Sequence, residues 1–170
     1  TWTPIAGVPV AFEPPSASFA LDWQTLASMR QRRVRFATIT HAAGLSSTGD
    51  PDLDALLPFD EPYRIPERTA WELHRARAEG RRIVAIGTTV VRALEHAASR
   101  DGIVRAGDGI ATQRIGPSTH LRIVDAILSG THEPGSSHYA LLNAFADDET
   151  LGRIDAEPKG AAETVRPCPT

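Results

Sequence analysis

Cysteine and long apolar runs are nearly absent from this chain. Cys168 is the single cysteine among 170 residues. One thiol excludes an internal disulfide framework and suits a reducing compartment, so the sequence predicts a cytoplasmic location. No apolar run has the length of a membrane span, and the first residues lack the pattern of a secretory signal. We therefore expect no membrane partner.

An excess of positive charge is also missing. The 18 lysines and arginines are outnumbered by 21 aspartates and glutamates, which gives a formal net charge of −3. Such a chain has no global attraction to nucleic acid, so any RNA contact depends on local patches. One basic patch occurs at Arg30, Arg32, Arg33 and Arg35, and a solvated helix end is its simpler interpretation.

Three common site motifs are absent. The sequence contains no glycine-rich dinucleotide fingerprint and no P-loop. It also lacks a G-x-S-x-G nucleophile elbow, which argues against a serine hydrolase.

The size and patterning of the chain predict one mixed α/β unit. A chain of 170 residues with 41% hydrophobic composition can bury one core. We predict one domain over residues 1–154 and a tail over 155–170. Helices are expected over 22–32, 66–80, 88–99 and 136–145, strands over 8–12, 34–40, 82–86, 111–115 and 121–128, a long loop over 41–66, and a glycine-containing hairpin near 102–109.

The clearest local signal is I-V-A-I-G-T-T-V-V-R-A-L-E at residues 83–95, where a buried strand turns directly into a helix. Gly87 ends the apolar run, and Thr88 or Thr89 is expected to cap the helix. Free N–H groups at a helix start attract carboxylates and phosphates. Arg92, one turn later, offers a forked cationic donor. An ordinary strand-to-helix junction with capping threonines is the alternative interpretation.

Four segments, taken in order, carry a family resemblance. G-T-T-V-V-R-A-L-E at 87–95 resembles the G-T-T-x-V-R-x-L-E signature of the S-adenosylmethionine:tRNA ribosyltransferase-isomerases, the QueA family of queuosine biosynthesis. P-P-S-A-S-F at 14–19 and I-T-H-A-A-G-L-S-S at 39–47 stand where that family has P-[ST]-A-G-x-x-F and T-L-H-x-G. V-D-A-I-L-S-G-T-H-E-P-G-S-S-H-Y-A-L-L-N-A-F at 124–145 resembles its V-D-x-L-[IL]-T-x-x-H-x-P-x-S segment and the helix after it. The resemblance covers about residues 14–151, but only the C-terminal part of the family's length.

The resemblance implies both a fold and a reaction. The fold is an α/β domain with a mixed sheet and flanking helices, similar to the family's main domain without its inserted β-barrel. The implied substrates are S-adenosylmethionine and tRNA. The ribosyl part of S-adenosylmethionine moves onto a 7-aminomethyl-7-deazaguanine base and is isomerised to an epoxycyclopentane, with release of adenine and methionine. The resemblance implies no metal and no redox cofactor.

This chemistry needs a base beside the sulfonium and an acid for the departing adenine, and histidine suits both tasks near neutral pH. His41 and His132 lie in segments that match the family, and His138 follows closely. The expected reacting residues are His41, His132, Glu133 and His138, and the expected substrate-binding residues are Gly87, Thr88, Thr89, Arg92 and Ser137. Because open α/β sheets collect their loops at the carboxyl ends of strands, residues 131–137 are expected beside the Gly87 turn.

Most of these candidates also have a structural interpretation. His41 follows a predicted strand and can simply end its ladder, and Glu133 can be an ordinary exposed carboxylate. Ser136 and Ser137 can cap the last helix. A histidine pair in the spacing H-x5-H, without further ligands, does not predict a metal site.

Two other functions remain open at this stage. The first is a non-catalytic RNA-binding or assembly module on the same scaffold. The second is a small-molecule enzyme that binds a different anion at the strand-to-helix junction.

Overall fold

The computed structural model describes residues 17, 21–45, 47–130 and 132–156, together with the backbone of 163–165. The strand expected over 8–12 lies outside these residues. Six helices and six strands are present in the described ranges. The helices are α1 (Trp23–Gln31), α2 (Pro51–Asp54), α3 (Glu67–Ala78), α4 (Thr88–Ala97), α5 (Ser137–Leu142) and α6 (Asp148–Ala156); the strands are β1 (Thr40–His41), β2 (Glu61–Ile65), β3 (Val84–Ile86), β4 (Gly107–Ala111), β5 (Ala126–Ser129) and β6 (Glu163–Val165).

The strands form two three-stranded sheets. The first has the order β1-β2-β4 and is antiparallel throughout, with Tyr63 opposite Gly109. The second has the order β3-β5-β6. In it β3 runs parallel to β5, with Val84 opposite Ala126, and β5 runs antiparallel to β6. The expected α/β fold with a mixed sheet and flanking helices is confirmed, and the strands divide between two sheets.

Helix α4 connects the two sheets. It contacts strands β1, β2 and β4 of the antiparallel sheet as well as β3 and β5 of the mixed sheet. Val91, Ala93 and Leu94 on this helix are 0–4% exposed. Burial of each large apolar side chain contributes roughly 1.5–3 kcal/mol to the free energy of unfolding. The segment with the clearest sequence signal is therefore the centre of the hydrophobic core.

The helices over 22–32, 66–80, 88–99 and 136–145 are confirmed, with shorter ends. Asp22 caps α1, since its Oδ1 accepts a hydrogen bond from the Thr25 N–H at 2.6 Å. Gly80, with φ 63°, follows the end of α3 in the left-handed conformation typical of a helix stop. A further helix, α6, follows α5. None of the helices in the described ranges has the length and apolar character needed to cross a bilayer.

The strand predictions were less accurate. Only Thr40 of the strand expected over 34–40 is paired, β4 ends where the strand over 111–115 was expected to begin, and β5 begins at Ala126. The predicted loop over 41–66 contains both α2 and β2. Gly107 and Gly109 lie within β4, which pairs with β2 instead of forming a local hairpin. Short strands are specified by distant partners, so a local pattern locates them poorly.

The segment expected to be a tail also contributes to the sheet. Helix α6 continues to Ala156, and Glu163–Val165 pairs with β5.

Candidate functional site

Strands β3 and β5 end at the same edge of the mixed sheet. They are parallel, with Ile86 opposite Leu128, and the Gly87 N–H donates to the Leu128 carbonyl at 2.9 Å. The turn at Gly87 and the loop after Ser129 therefore leave the sheet together. This confirms the expected common edge, although Thr131 lies outside the described residues.

Gly87 itself is the N-cap of α4, with φ 93° and ψ 150°. Thr88 and Thr89 occupy the first two helical positions, so the prediction that one of them caps the helix is wrong. The reason is that glycine adopts this positive φ at little cost, which allows the helix to begin one residue earlier. No side chain of the described residues caps the first turn, and its N–H groups have no intrahelical acceptors.

The glycine is required for its backbone conformation rather than for space. A Cβ placed on Gly87 would lie 3.9 Å from Ala17 Cβ, which is an ordinary contact. Ala17 belongs to the segment 14–19 that carries part of the family resemblance. Ala17 itself therefore lies beside the Gly87 turn.

Two histidines meet just beyond β5. His132 Nε2 lies 2.9 Å from the Oγ of Ser129, which is the last residue of the strand. The His132 and His138 rings pack edge to face, with their centroids 4.9 Å apart. Two of the three expected histidines therefore lie together at the carboxyl edge, and Ser129 is a contact that the sequence interpretation missed.

The start of α5 supplies a hydroxyl to the same region. Ser136 is the N-cap, and its Oγ accepts from the Tyr139 N–H at 3.1 Å, which confirms the capping interpretation for Ser136. Ser137 Oγ is buried and has no hydrogen-bond partner within the described residues. Glu133 is exposed. We call the residues grouped at this edge the carboxyl-edge site. They are Gly87, Thr88, Thr89, Ser129, His132, Ser137 and His138.

His41 lies on the other sheet. It is half-buried on β1, opposite Tyr63, and its Nδ1 is buried without a hydrogen-bond partner among the described residues. Burial lowers the pKa of the His41 imidazole, and the negative charge of Glu61 opposes that shift. Strand β1 contacts α4, which begins at the carboxyl-edge site. His41 therefore lies on the antiparallel sheet, whereas His132 contacts the last residue of β5 in the mixed sheet.

Arg92 requires a correction. Its side chain is 2% exposed, and its Nη1 donates to Glu61 Oε2 at 2.6 Å. Nη2 donates to the Phe59 and Ala111 carbonyls at 3.1 Å each, and Nε donates to the Gln113 carbonyl at 3.3 Å. The guanidinium is directed at the antiparallel sheet and the loops beside it. Arg92 is therefore a structural residue rather than a ligand contact at the helix start.

Glu95, one turn further along α4, has a similar structural role that the sequence interpretation missed. The side chain is buried, and it accepts three backbone N–H bonds from the loop before β5. Its Oε2 accepts from Arg122, and its Oε1 accepts from Ile123 and Val124, at 2.8–2.9 Å. Positions 92 and 95 share one helix face because they are three residues apart. That spacing, with two charged residues on a face otherwise apolar, was the available signal.

The chain is similar in sequence to known proteins. A family model described as "Queuosine biosynthesis protein" matches residues 5–157. The chain belongs to this family. It is 41% identical over 153 residues to an S-adenosylmethionine:tRNA ribosyltransferase-isomerase of Sorangium cellulosum and 38% identical over 157 residues to one of Thermus thermophilus.

A solved structure is similar as well. The S-adenosylmethionine tRNA ribosyltransferase of Thermotoga maritima superposes with a TM-score of 0.65 at 26% identity. That match covers 83% of this chain and 45% of the Thermotoga chain. The Sorangium and Thermus matches cover 86% and 89% of this chain but 41% and 44% of those proteins. The chain thus spans less than half the length of the curated relatives that it matches.

Within this member of the queuosine biosynthesis family, the signature segment 87–95 divides into two parts. Its first residues form the turn at the carboxyl edge. Arg92 and Glu95 in its second part hold α4 to the antiparallel sheet and to the loop before β5. Asp125 adds a further tie, because its Oδ2 accepts from the Ile83 N–H at 2.7 Å, just before β3. These contacts fix the relative position of the strands that carry the site.

The carboxyl-edge site combines two kinds of group. Backbone N–H groups at the start of α4 can bind a carboxylate, and the paired imidazoles can transfer protons. Within the part of the chain that the structure describes, no three His, Cys, Asp or Glu side chains are grouped to hold a metal ion.

A separate groove lies on the antiparallel sheet. Its volume is about 520 Å³, and its lining includes Tyr63, Arg64 and Ile110. Tyr63 Oη lies 3.0 Å from His96 Nδ1, and the Tyr63 ring covers the backbone of Gly109. The groove is also lined by His41 but shares no residue with the carboxyl-edge site. His132 and His138 lie together at the carboxyl-edge site, so we assign the main proton-transfer steps there.

Proposed function

We propose that this chain supplies the substrate-binding edge of an S-adenosylmethionine:tRNA ribosyltransferase-isomerase of queuosine biosynthesis. The observation that carries the proposal concerns one edge of a parallel strand pair. The start of α4, which no described side chain caps, lies there together with the Ser129–His132–His138 group. The family membership makes S-adenosylmethionine and tRNA the preferred substrates. As part of the proposal, residues 1–154 act as one domain in the cytoplasm.

The proposed roles follow from the chemistry of each group. The N–H groups of the first turn of α4, with Thr88 and Thr89, hold the carboxylate of the methionine part. Ser137 offers its buried hydroxyl to the ribose or the carboxylate.

We assign proton transfer to His132 and His138. Glu133 lies at the exposed side of the same loop. One imidazole takes the proton from the carbon beside the sulfonium, and another returns a proton to the departing adenine. The amine of the 7-aminomethyl-7-deazaguanine forms a bond to the ribosyl carbon skeleton and loses a proton to solvent. The bond from ribose to adenine and the carbon–sulfur bond break, so adenine departs and the sulfonium becomes the neutral thioether of methionine. Burial lowers the pKa of His41 on β1, which favours the neutral imidazole that can accept a proton.

Adenine release tests this proposal directly. The chain is incubated with S-adenosylmethionine and a tRNA that carries 7-aminomethyl-7-deazaguanine, and adenine is measured by chromatography. His132→Gln and His138→Gln should each reduce the rate by about 10²–10⁴-fold, which is the range for loss of a general acid or base. His120→Gln is the matched control, because His120 is exposed and lies outside the site.

Calorimetry with S-adenosylmethionine alone separates the alternatives. Binding without adenine release would indicate that this chain binds the substrate but does not catalyse the reaction by itself. Binding of tRNA with no binding of S-adenosylmethionine would overturn the proposal in favour of an RNA-binding module.

A further inference from the structure

A second concave surface lies where the ends of α1 and α3 meet. It has a volume of about 310 Å³. We name it the arginine depression, because five of its lining residues are arginines. They are Arg30, Arg33, Arg35, Arg75 and Arg81, and Val34 and Glu79 complete the lining.

Two turns, one after α1 and one after α3, bring these side chains together. Arg33 follows α1 with φ 62°, a left-handed conformation that is uncommon for a residue with a side chain. Arg81 follows α3 beyond the turn at Gly80. Arg35 connects the two helix ends, since its Nε lies 3.4 Å from Glu72 and its Nη2 3.3 Å from Glu79.

Positive charge remains in excess within the depression. Glu79 accepts from Arg75 at 2.6 Å and from Arg81 at 2.7 Å, and these hydrogen bonds lower its pKa to about 2. It therefore stays ionised, but it is one carboxylate among several guanidinium groups. Arg30 and Arg33 form no ion pair with any residue that the structure describes. Five arginines against Glu72 and Glu79 leave a local charge of +3, on a chain whose formal net charge is −3.

Favourable interaction with helix dipoles explains only part of this cluster. Arg30 and Arg75 lie in the last turns of their helices, where a cation is stabilised by the C-terminal end of the dipole. Arg33 and Arg81 lie beyond the helix ends, where that effect fades. Their convergence on one concavity is what a multivalent anion requires.

We propose that the arginine depression binds phosphodiester groups of an RNA backbone. Planar guanidinium groups match phosphate oxygens in pairs, which favours arginine over lysine for this task. The inference rests on the proposed function, because that function makes RNA a substrate. Arg81 precedes β3 and Gly87 follows it, so the depression lies at the opposite end of that strand from the carboxyl-edge site. It therefore holds the RNA backbone away from the reacting base.

Salt-dependent binding of an in-vitro transcribed tRNA to the 170-residue chain tests this proposal. The double variant Arg30→Gln/Arg33→Gln removes two charges that form no described ion pair, so the fold should be retained. Each lost phosphate contact should make the slope of log affinity against log salt shallower by about 0.7–0.9. The double variant should therefore lose roughly 1.4–1.8 of that slope.

Arg68→Gln is the matched control, because Arg68 is exposed in the first turn of α3, roughly 16 Å along the helix from Glu79. The slope of Arg68→Gln should stay within about 0.3 of the wild-type value, because this substitution removes no phosphate contact. Arg33→Lys should keep most of the slope, since the charge remains, while binding weakens through the loss of the guanidinium fork.

Several results would overturn the proposal. They are an unchanged slope in the double variant, an equal change in Arg68→Gln, or absence of tRNA binding by the wild-type chain. Binding to vesicles of anionic phospholipid without binding to tRNA would instead assign the depression to a membrane surface. The affinity of the same double variant for S-adenosylmethionine, measured by calorimetry, should equal that of the wild type. If the wild-type chain binds tRNA through the arginines but does not bind S-adenosylmethionine, the depression stands and the proposed function fails.

Discussion

Arg92 on α4 and Glu61 on β2 form a buried ion pair, with Nη1 and Oε2 2.6 Å apart and side chains that are 2% and 7% exposed. The second carboxylate oxygen of Glu61 accepts from the Gly44 N–H at 3.1 Å. The pair therefore joins the signature helix to the antiparallel sheet and to the segment 39–47. Two separate stretches of the family resemblance, 39–47 and 87–95, therefore meet at one salt bridge.

Removal of one partner of this pair should destabilise the fold. Arg92→Ala leaves the Glu61 carboxylate buried without its counter-charge, and we expect a loss of about 3–5 kcal/mol in the free energy of unfolding. Arg92→Lys should recover only part of that loss, because an ammonium group cannot donate to Glu61 and three carbonyls in the same plane. Urea unfolding measures both variants.

The double variant Arg92→Met/Glu61→Leu provides the matched comparison, because it removes both charges together. Its loss should be smaller than that of Arg92→Ala. If Arg92→Ala unfolds with wild-type stability and loses S-adenosylmethionine binding instead, the assignment of Arg92 to the structure is wrong.

Glu95 offers a related prediction. Its two oxygens accept three backbone N–H bonds from residues 122–124. In Glu95→Gln one oxygen becomes an NH₂ donor that faces a backbone donor, so we expect a loss of about 2–3 kcal/mol. Glu149→Gln, at an exposed position of α6, should change stability by less than about 0.5 kcal/mol. Equal effects of the two substitutions in chemical denaturation would contradict this role.

The sequence located the helices and the site edge better than the strands. The 83–95 segment was predictable because a buried apolar run, a glycine and an amphipathic helix occur within one local pattern. The pairing of β2 with β4 was not, since Glu61–Ile65 contains a proline and two charged residues and lies within a stretch that reads as a loop. Arg92 was assigned to a ligand because a sequence does not show that its counter-charge, Glu61, arrives from 31 residues away.

Gly109 is required by a close cross-strand neighbour. A Cβ at this position would lie 2.4 Å from the Tyr63 ring carbon Cζ and 2.4 Å from its hydroxyl oxygen. Gly109→Ala must displace the buried Tyr63 ring, which is hydrogen-bonded to His96. We expect this to lower the free energy of unfolding by about 1–3 kcal/mol. Gly152→Ala, within α6 and with nothing near its Cβ position, should instead stabilise the chain by about 0.5–1 kcal/mol. Thermal unfolding of both variants distinguishes steric conflict from a general effect of added methyl groups.

The last prediction concerns the pH dependence of stability and starts from His41. Burial lowers the pKa of its imidazole below the ordinary value near 6.5, and the facing Glu61 carboxylate only partly opposes this. In the pH range between the folded pKa and about 6.5, the unfolded chain binds a proton at this site that the folded chain does not. The free energy of unfolding must therefore fall as the pH drops through that range. The stabilisation that comes from the neutral His41 is fully present only above that range.

His41→Gln removes this titration while it retains a polar side chain of similar size. Urea unfolding of the wild-type chain and the variant at pH 5 to 8 measures the effect. The stability of the wild type relative to the variant should decrease as the pH falls below about 6.5, because protonation favours the unfolded wild-type chain. A difference between the two proteins that is constant over the whole range would show that His41 has the same pKa in both states. A difference that grows in the opposite direction would mean that the Glu61 charge, rather than burial, dominates the environment of His41.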